Sequence, residues 1–437
     1  MPLACSSAWS MRERAEVEKE ATFLAHEHPA PRPERGPFRS LRIPNYRLWA
    51  AGALVSNVGT WMQRIAQDWL VLTQLTHNNA RAVGIVSALQ FGPQLLLLPW
   101  TGMAADRLDR RKLLLATQGA MGALALGLGL LTVTGAVRLW HVDLFAFLLG
   151  CVTAFDAPAR HTFVADLVGE RELSNAVALN SASFNSARMI GPAIAGVVIA
   201  AVGSGAAFLL NAASFLAVLA ALVFIRAGTQ HRDGRGTLEA GGLAEGLRYV
   251  WGQADLRTVL LMLFLVGTFG LNFPVFISAM AATVFHAGAG RYGLLTSTMA
   301  LGSVVGALGA AARTRPTVGV LAVSAGLFGI GCSLAAIMPT TALFGLMLIL
   351  VGASAQSFTA SSNGLLQLSS EPRLRGRVIS IFLAVAMGTT PLGAPLVGWV
   401  ADAFGPRWAL GIGGASGFAA AAVAIAAFRR RRQARAD

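Results

Sequence analysis

The sequence predicts an all-α membrane protein of twelve transmembrane helices in two six-helix halves, and three observations carry that expectation. Composition is the first: of 437 residues, 55% are apolar and 13% charged, where soluble domains carry roughly 25% charged residues. The second is a succession of apolar stretches, each approaching or exceeding the ~20 residues that cross about 30 Å of hydrocarbon. The third is the placement of the 35 Lys and Arg. Arg64 and Arg188 lie inside apolar stretches, and Arg81, Arg138, Arg291 and Arg407 border odd-numbered connections; all the others lie in the termini or in or beside even-numbered connections. By the positive-inside rule this bias puts both termini in the cytoplasm of a bacterial-type inner membrane, which needs an even number of spans.

The chain opens with a polar, charged segment, 1–44, that reads as a disordered cytoplasmic tail without the apolar core of a signal peptide. Spans 1 to 6 follow at 47–75, 82–104, 113–134, 140–163, 174–202 and 205–226, and residues 45–226 form the N-terminal half. A polar linker occupies 227–256; apolar residues at helical spacing from Leu243 to Leu256, with Glu245, Arg248 and Asp255 between them, predict a helix on the membrane surface. Spans 7 to 12 lie at 257–285, 291–312, 318–338, 341–367, 376–402 and 406–428, so the C-terminal half is 257–428 and a basic cytoplasmic tail closes the chain at 429–437. The stretches are rich in Gly, Ala and Leu and lack the ~10-residue alternation of barrel strands, so they are helices. Asn272 and Pro274 predict a kink in span 7.

Sliding the chain by 202 residues lays Gly191, Gly196 and Gly203 on Gly393, Gly398 and Gly405, and Ser214 on Ser416. Two halves related by duplication, with a substrate site between them near the bilayer midplane, follow from such a repeat. The net charge of +14 is explained by topology, which removes nucleic acid as a partner. Cys5, Cys151 and Cys332 are too scattered for a disulfide framework or metal site, and no nucleophile–base pair or phosphate-binding glycine loop is present, so neither an enzyme nor a cofactor is expected.

Between spans 2 and 3 stand Gly102, Asp106, Arg107, Asp109, Arg110, Arg111 and Lys112, spaced Gly-x-x-x-Asp-Arg-x-Asp-Arg-Arg-Lys. This resembles the loop 2–3 signature of the major facilitator superfamily, with Asp109 where that signature usually has Gly. A narrower likeness rests on Asn57 and Gly59 to Arg64 in span 1, Phe155 to Arg160 in span 4, and Leu179 to Ser181, Ser183, Gly191 and Pro192 in span 5. Together these resemble a bacterial branch of enterobactin-type siderophore exporters and related drug-efflux proteins. The resemblance implies a monomeric, secondary-active exporter of a small molecule, driven by protons through alternating access. A facilitator or importer of the same fold, and a membrane scaffold or sensor without transport, remain alternatives. It also implies a gating set of Gly102, Asp106, Arg107, Arg110, Arg111 and Asp156, with Asp106, Arg110 and Asp156 in one charge relay at the cytoplasmic surface. Asp106 is further suited to meet the free amides at the start of span 11, near Gly376 and Arg377.

Ionisable groups at membrane depth are costly, so each is a candidate for function. Arg64 and Asp68 are four residues apart and share a face of span 1 with Gln63 and Gln67. Two readings stay open for them: an ion pair that stabilises packing, or a substrate or proton site with Asp68 as the coupling carboxylate. Arg188, near mid-membrane in span 5 with Asn180 and Asn185, offers a planar fork suited to carboxylates or phenolates. Asn272 in span 7, and Gln356 and Asn363 within the polar run of span 10, complete the expected pathway.

Overall fold

The computed structural model describes residues 36–98, 100, 101, 104, 108–225, 243–313, 315–371 and 374–433. The expected tail up to residue 35, most of the linker, and Gly102, Asp106 and Arg107 lie outside the described residues.

Span 1 starts at Pro44, in the first turn where a missing N–H goes unused, and runs Pro44–Trp69 before widening into a π-helix over Leu70–Leu75. Span 2, Ala80–Leu96, begins on Asn79, whose side chain accepts from the Ala82 N–H at 3.0 Å. Asp109 caps span 3, Arg110–Val133, in the same way through the Lys112 N–H at 3.0 Å. Spans 4 and 5 are one continuous stretch, Leu139–Val202, broken at Gly169, whose φ of 68° lies in the left-handed region that glycine adopts without strain. Span 6 is Ser204–Phe224. A ten-residue helix, Leu243–Gly252, precedes span 7.

Span 7 is itself broken, as Asn272 and Pro274 predict: Ala254–Phe269 stops, Phe273–Ala279 restarts, and a π-turn over Met280–Val284 ends it. Spans 8 to 12 are Ala289–Ala311, Val318–Ile337, Thr341–Ser369, Arg375–Phe404 and Pro406–Gln433. Both ends of the twelve-span bundle therefore fall on one side, the terminal side, and the opposite side is the far side. Among the described residues, nine helices, one of them the continuous 4–5 stretch, are long and apolar enough to cross a membrane by composition. Spans 1 and 2 are not among them: span 1 carries the polar cluster Gln63, Arg64, Gln67 and Asp68, and the described helix of span 2, Ala80–Leu96, is 17 residues long.

The duplicated glycines make duplicated contacts. A Cβ on Gly191 would meet Trp61 at 2.7 Å in span 1, and one on Gly393 would overlap the Thr268 carbonyl in span 7. Gly196 lies against Ala289 and Gly290 of span 8, and Gly398 against Ala80 and Arg81 of span 2. Gly203 and Gly405 both take positive φ, 85° and 98°, at the turns that follow. Spans 5 and 11 thus play equivalent parts, each packing inside its own half and across to the other.

Three apolar cores organise the bundle. One lies on the far side and draws on both halves, with Leu70, Val83 and Ile199 meeting Phe276, Tyr292 and Val397. Another, around Trp49, Leu114 and Phe163, belongs to the N-terminal half alone. The third, around Val259, Phe328 and Val378, belongs to the C-terminal half.

Candidate functional site

A central chamber of about 190 Å³ lies between the halves and is lined by Arg64, Asp68 and Arg188 from one half and Asn272, Tyr292 and Thr390 from the other. One helical turn separates Trp61 from Arg64, which lets the guanidinium fold over the indole with its carbon 4.8 Å from the ring centre; Phe91 of span 2 lies 5.5 Å from the same carbon. Arg188 comes to the same indole from span 5, at 5.7 Å. These are cation–π distances. Asp68 and Arg64 share a helix face, yet no ion pair closes between them. The Asp68 carboxylate instead accepts from the Tyr292 hydroxyl across the halves at 3.1 Å, and the Tyr292 ring stacks on Trp69 with centres 5.6 Å apart. The expectation of an Arg64–Asp68 packing pair is corrected: aromatic faces hold the guanidinium, and a residue 224 positions away holds the acid. Asn272, at the break in span 7, donates to the Thr268 carbonyl at 2.6 Å and leaves its own buried carbonyl oxygen unpaired beside the chamber.

A second chamber of about 360 Å³ lies within the N-terminal half and shares Arg64 and Gln90 with the first. Asn57, Gln67, Asn180 and Asn185 border it. Gln67 donates to Gln90 at 3.4 Å. Asp156 also lines this chamber, which corrects its expected place at the terminal end of span 4. The helix continues to residue 168, so Asp156 lies twelve residues, about 18 Å, before its end at ~1.5 Å per residue. There it accepts from Thr117 at 2.8 Å, Gln118 at 2.7 Å and Arg160 at 3.0 Å, and Arg160 reaches on to Asn57 at 3.2 Å. The buried carboxylate is thus bonded by three side chains.

Arg110 consequently does not meet Asp156. Its guanidinium pairs with Asp166, ten residues or nearly three turns further along span 4, at 2.5 and 2.6 Å. Arg111 donates to the carbonyls of Leu222 and Val223 at the end of span 6, both at 2.8 Å, where orphan carbonyls need donors. Gln356 and Asn363 border neither chamber. The polar run of span 10 finds partners on neighbouring elements and on its own helix: Ser357 takes Arg313 at 2.9 Å and lies 3.2 Å from Ser324, and Asn363 accepts from Gln367 at 2.8 Å, while the Ser362 hydroxyl is buried without a partner.

Sequence reasoning overlooked Gln90, Tyr292, Asp166 and Asp402. Tyr292 carried a signal, since the chain has only three tyrosines and a phenol inside a span needs a polar partner. Asp402 carried none. Its carboxylate, at the far end of span 11, accepts from the N–H groups of Ala80 and Arg81, the first two residues of span 2, at 2.7 and 2.9 Å. Beneath that contact, a Cβ on Gly84 would overlap the Ala394 carbonyl and one on Gly293 the Pro192 carbonyl, so backbones of opposite halves touch. Among the described residues, the helices of spans 4 and 5 make no extended contact with span 10 or span 11.

Comparison with known proteins agrees with this architecture. A model of the family described as transmembrane secretion effector matches residues 35–437. The staphyloferrin A transporter of Staphylococcus aureus is 27% identical over 353 residues, covering 80% of this chain and 87% of that protein. The multidrug efflux pump Tap of Mycolicibacterium fortuitum is 28% identical over 366 residues, 81% of this chain and 88% of the pump. Among solved structures, a bacterial homolog of the human lysosomal transporter Spinster, in an inward-facing, unoccupied conformation, superposes with a TM-score of 0.70 at 15% identity, over 88% of this chain and 95% of that one. The nucleoside transporter NupG gives 0.68 at 12% identity, over 88% and 99%.

Proposed function

Because the chain belongs to the transmembrane secretion effector family, a branch of the major facilitator transporters, we propose that it exports a small organic molecule in exchange for protons by alternating access. The observation that carries this reading is the central chamber, where Arg64, Asp68 and Arg188 are kept at a depth that charges do not occupy without a task. The crowding of Lys and Arg on the terminal side supports a cytoplasmic location for both termini in a bacterial inner membrane. On that orientation the shared far-side core, and the lack of extended contact between spans 4–5 and spans 10–11 among the described residues, support an inward-open state, ready to load substrate from the cytoplasm. Export then requires the far-side contacts to break and the terminal side to close. Asp106 would form the closing contact by meeting the amides that open span 11, a helix that starts with no side-chain cap.

Asp68 is the proposed proton carrier. It is the carboxylate of the central chamber and bonds across the halves, so gain or loss of its proton changes a contact between the two moving bodies. The test uses everted membrane vesicles with an acidic interior. Wild-type protein should accumulate exported compound only while the gradient stands, and Asp68→Asn at equal expression should lose that dependence. Gradient-driven accumulation at the wild-type rate in Asp68→Asn would show that protons travel elsewhere.

A further inference from the structure

The central chamber is unbalanced in charge. Its lining contains two guanidiniums, Arg64 and Arg188, and a single carboxylate, Asp68, which is already engaged by Tyr292. Among the described residues neither guanidinium donates a hydrogen bond to any group of the chain, and the Arg64 Nε is buried without a partner. Each guanidinium carries five N–H donors in a planar fork, so the chamber presents donors with no acceptor to match them. A cationic guest would meet two like charges, and a neutral one would leave most of these donors unfilled. An anion removes both defects at once, and charge-assisted bonds to such forks are the stronger kind of hydrogen bond.

The aromatic groups narrow the guest further. Trp61 lies within cation–π reach of both guanidiniums, and Phe91 lies beside Arg64. A planar guest placed among them stacks on rings and guanidinium planes while its charged end meets the forks. The chamber, about 190 Å³, adjoins the larger chamber across the shared residues Arg64 and Gln90, beyond which Asn57, Gln67 and Asn180 add polar groups.

Resting on the transport reading, we infer that the substrate is an organic anion with a planar aromatic body, its charge held by Arg188 and Arg64 and its ring set against Trp61. The test compares 2-naphthoate with its uncharged amide, 2-naphthamide, by equilibrium dialysis against the purified full-length protein. Naphthoate should bind at least tenfold more tightly. Arg188→Gln should weaken naphthoate binding tenfold or more, with naphthamide binding changed less than twofold, and Arg188→Lys should recover part of the loss by restoring charge without the fork. The melting temperature of each variant, held within 2–3 °C of wild type, establishes that the fold is retained (about 1 kcal/mol for a chain of this size or less). Equal binding of the two probes, no binding of naphthoate, or an anion preference that survives Arg188→Gln overturns the inference. Flux into proteoliposomes is measured separately: naphthoate binding without any flux defeats the transport reading and leaves this one standing, whereas flux of a neutral compound without anion preference does the reverse.

Discussion

The two sides of the bundle join the halves in different ways. On the far side a single apolar core is built from both halves, backbones touch at Gly84 and Gly293, and Asp402 of one half caps the first helix turn of span 2 in the other. On the terminal side each half keeps its own core, one around Phe163 and one around Phe328. The small helix Leu243–Gly252 bonds within the C-terminal half: Glu245 pairs with Arg377 of span 11 and Tyr249 accepts from the Glu371 N–H at 3.2 Å. Small residues packed backbone to backbone need no side-chain rearrangement to separate, and few polar bonds must be broken when they do. The far side is therefore a surface that can close tightly and still open, which a two-state element requires.

The comparison breaks first at the glycines. Gly293→Val places branched carbons where the Pro192 carbonyl lies, and overpacking of this kind costs about 1–3 kcal/mol, roughly a five- to hundredfold shift in population. In a chain whose native cysteines are replaced, Thr296→Cys in the central chamber should then react that much faster with a membrane-impermeant maleimide added from the far side. Unchanged labelling would mean that the far side is held by something other than this contact.

Removing the exposed acid should do less. Asp402→Ala frees two amides at a helix start, an interaction worth roughly 0.5–1 kcal/mol at a solvent-exposed site, so the same probe should speed up about two- to fivefold. Asp402→Asn, which keeps one acceptor oxygen, should fall between the two. No change in either variant would reduce Asp402 to a surface charge.

The sharpest use of the comparison is a substitution of opposite sign. Asp402 caps the start of span 2, and the start of span 11 has no side-chain cap, which is where Asp106 is proposed to bind. Asp106→Asn should favour the terminal-side-open state by a similar or smaller factor, about twofold. Cysteines placed at the terminal ends of spans 4 and 11 should label faster, and the Thr296→Cys probe slower from the far side. Equal effects on both probes would point to loosened folding instead of a shifted equilibrium.

Much of this was legible in the sequence, for identifiable reasons. Span positions followed from apolar length, and the break in span 7 from Asn272 and Pro274, because both are local properties of the chain. Arg64, Asp68, Arg188 and Asn272 were singled out because polarity at membrane depth is conspicuous, and all four line one chamber. Gln356 and Asn363 were singled out on the same ground and line neither; Asn363 is bonded instead by Gln367, one turn away on the same helix. The partner of Arg110 was hidden for a different reason: Asp156 and Asp166 lie on the same helix, and the five residues by which span 4 outruns its apolar stretch decide which acid reaches the terminal end.

By itself the sequence determined that this protein crosses a membrane twelve times in two related halves, because a lipid solvent sets the length, polarity and flanking charge of every span. The duplicated glycines went further and marked where backbones approach. Only the tertiary structure decided that Asp68 answers to Tyr292, that two arginines share one indole, and that Asp402 reaches amides 322 and 321 positions away. Each is a contact between helices, and helical periodicity fixes which residues share a face without fixing which helix that face will meet.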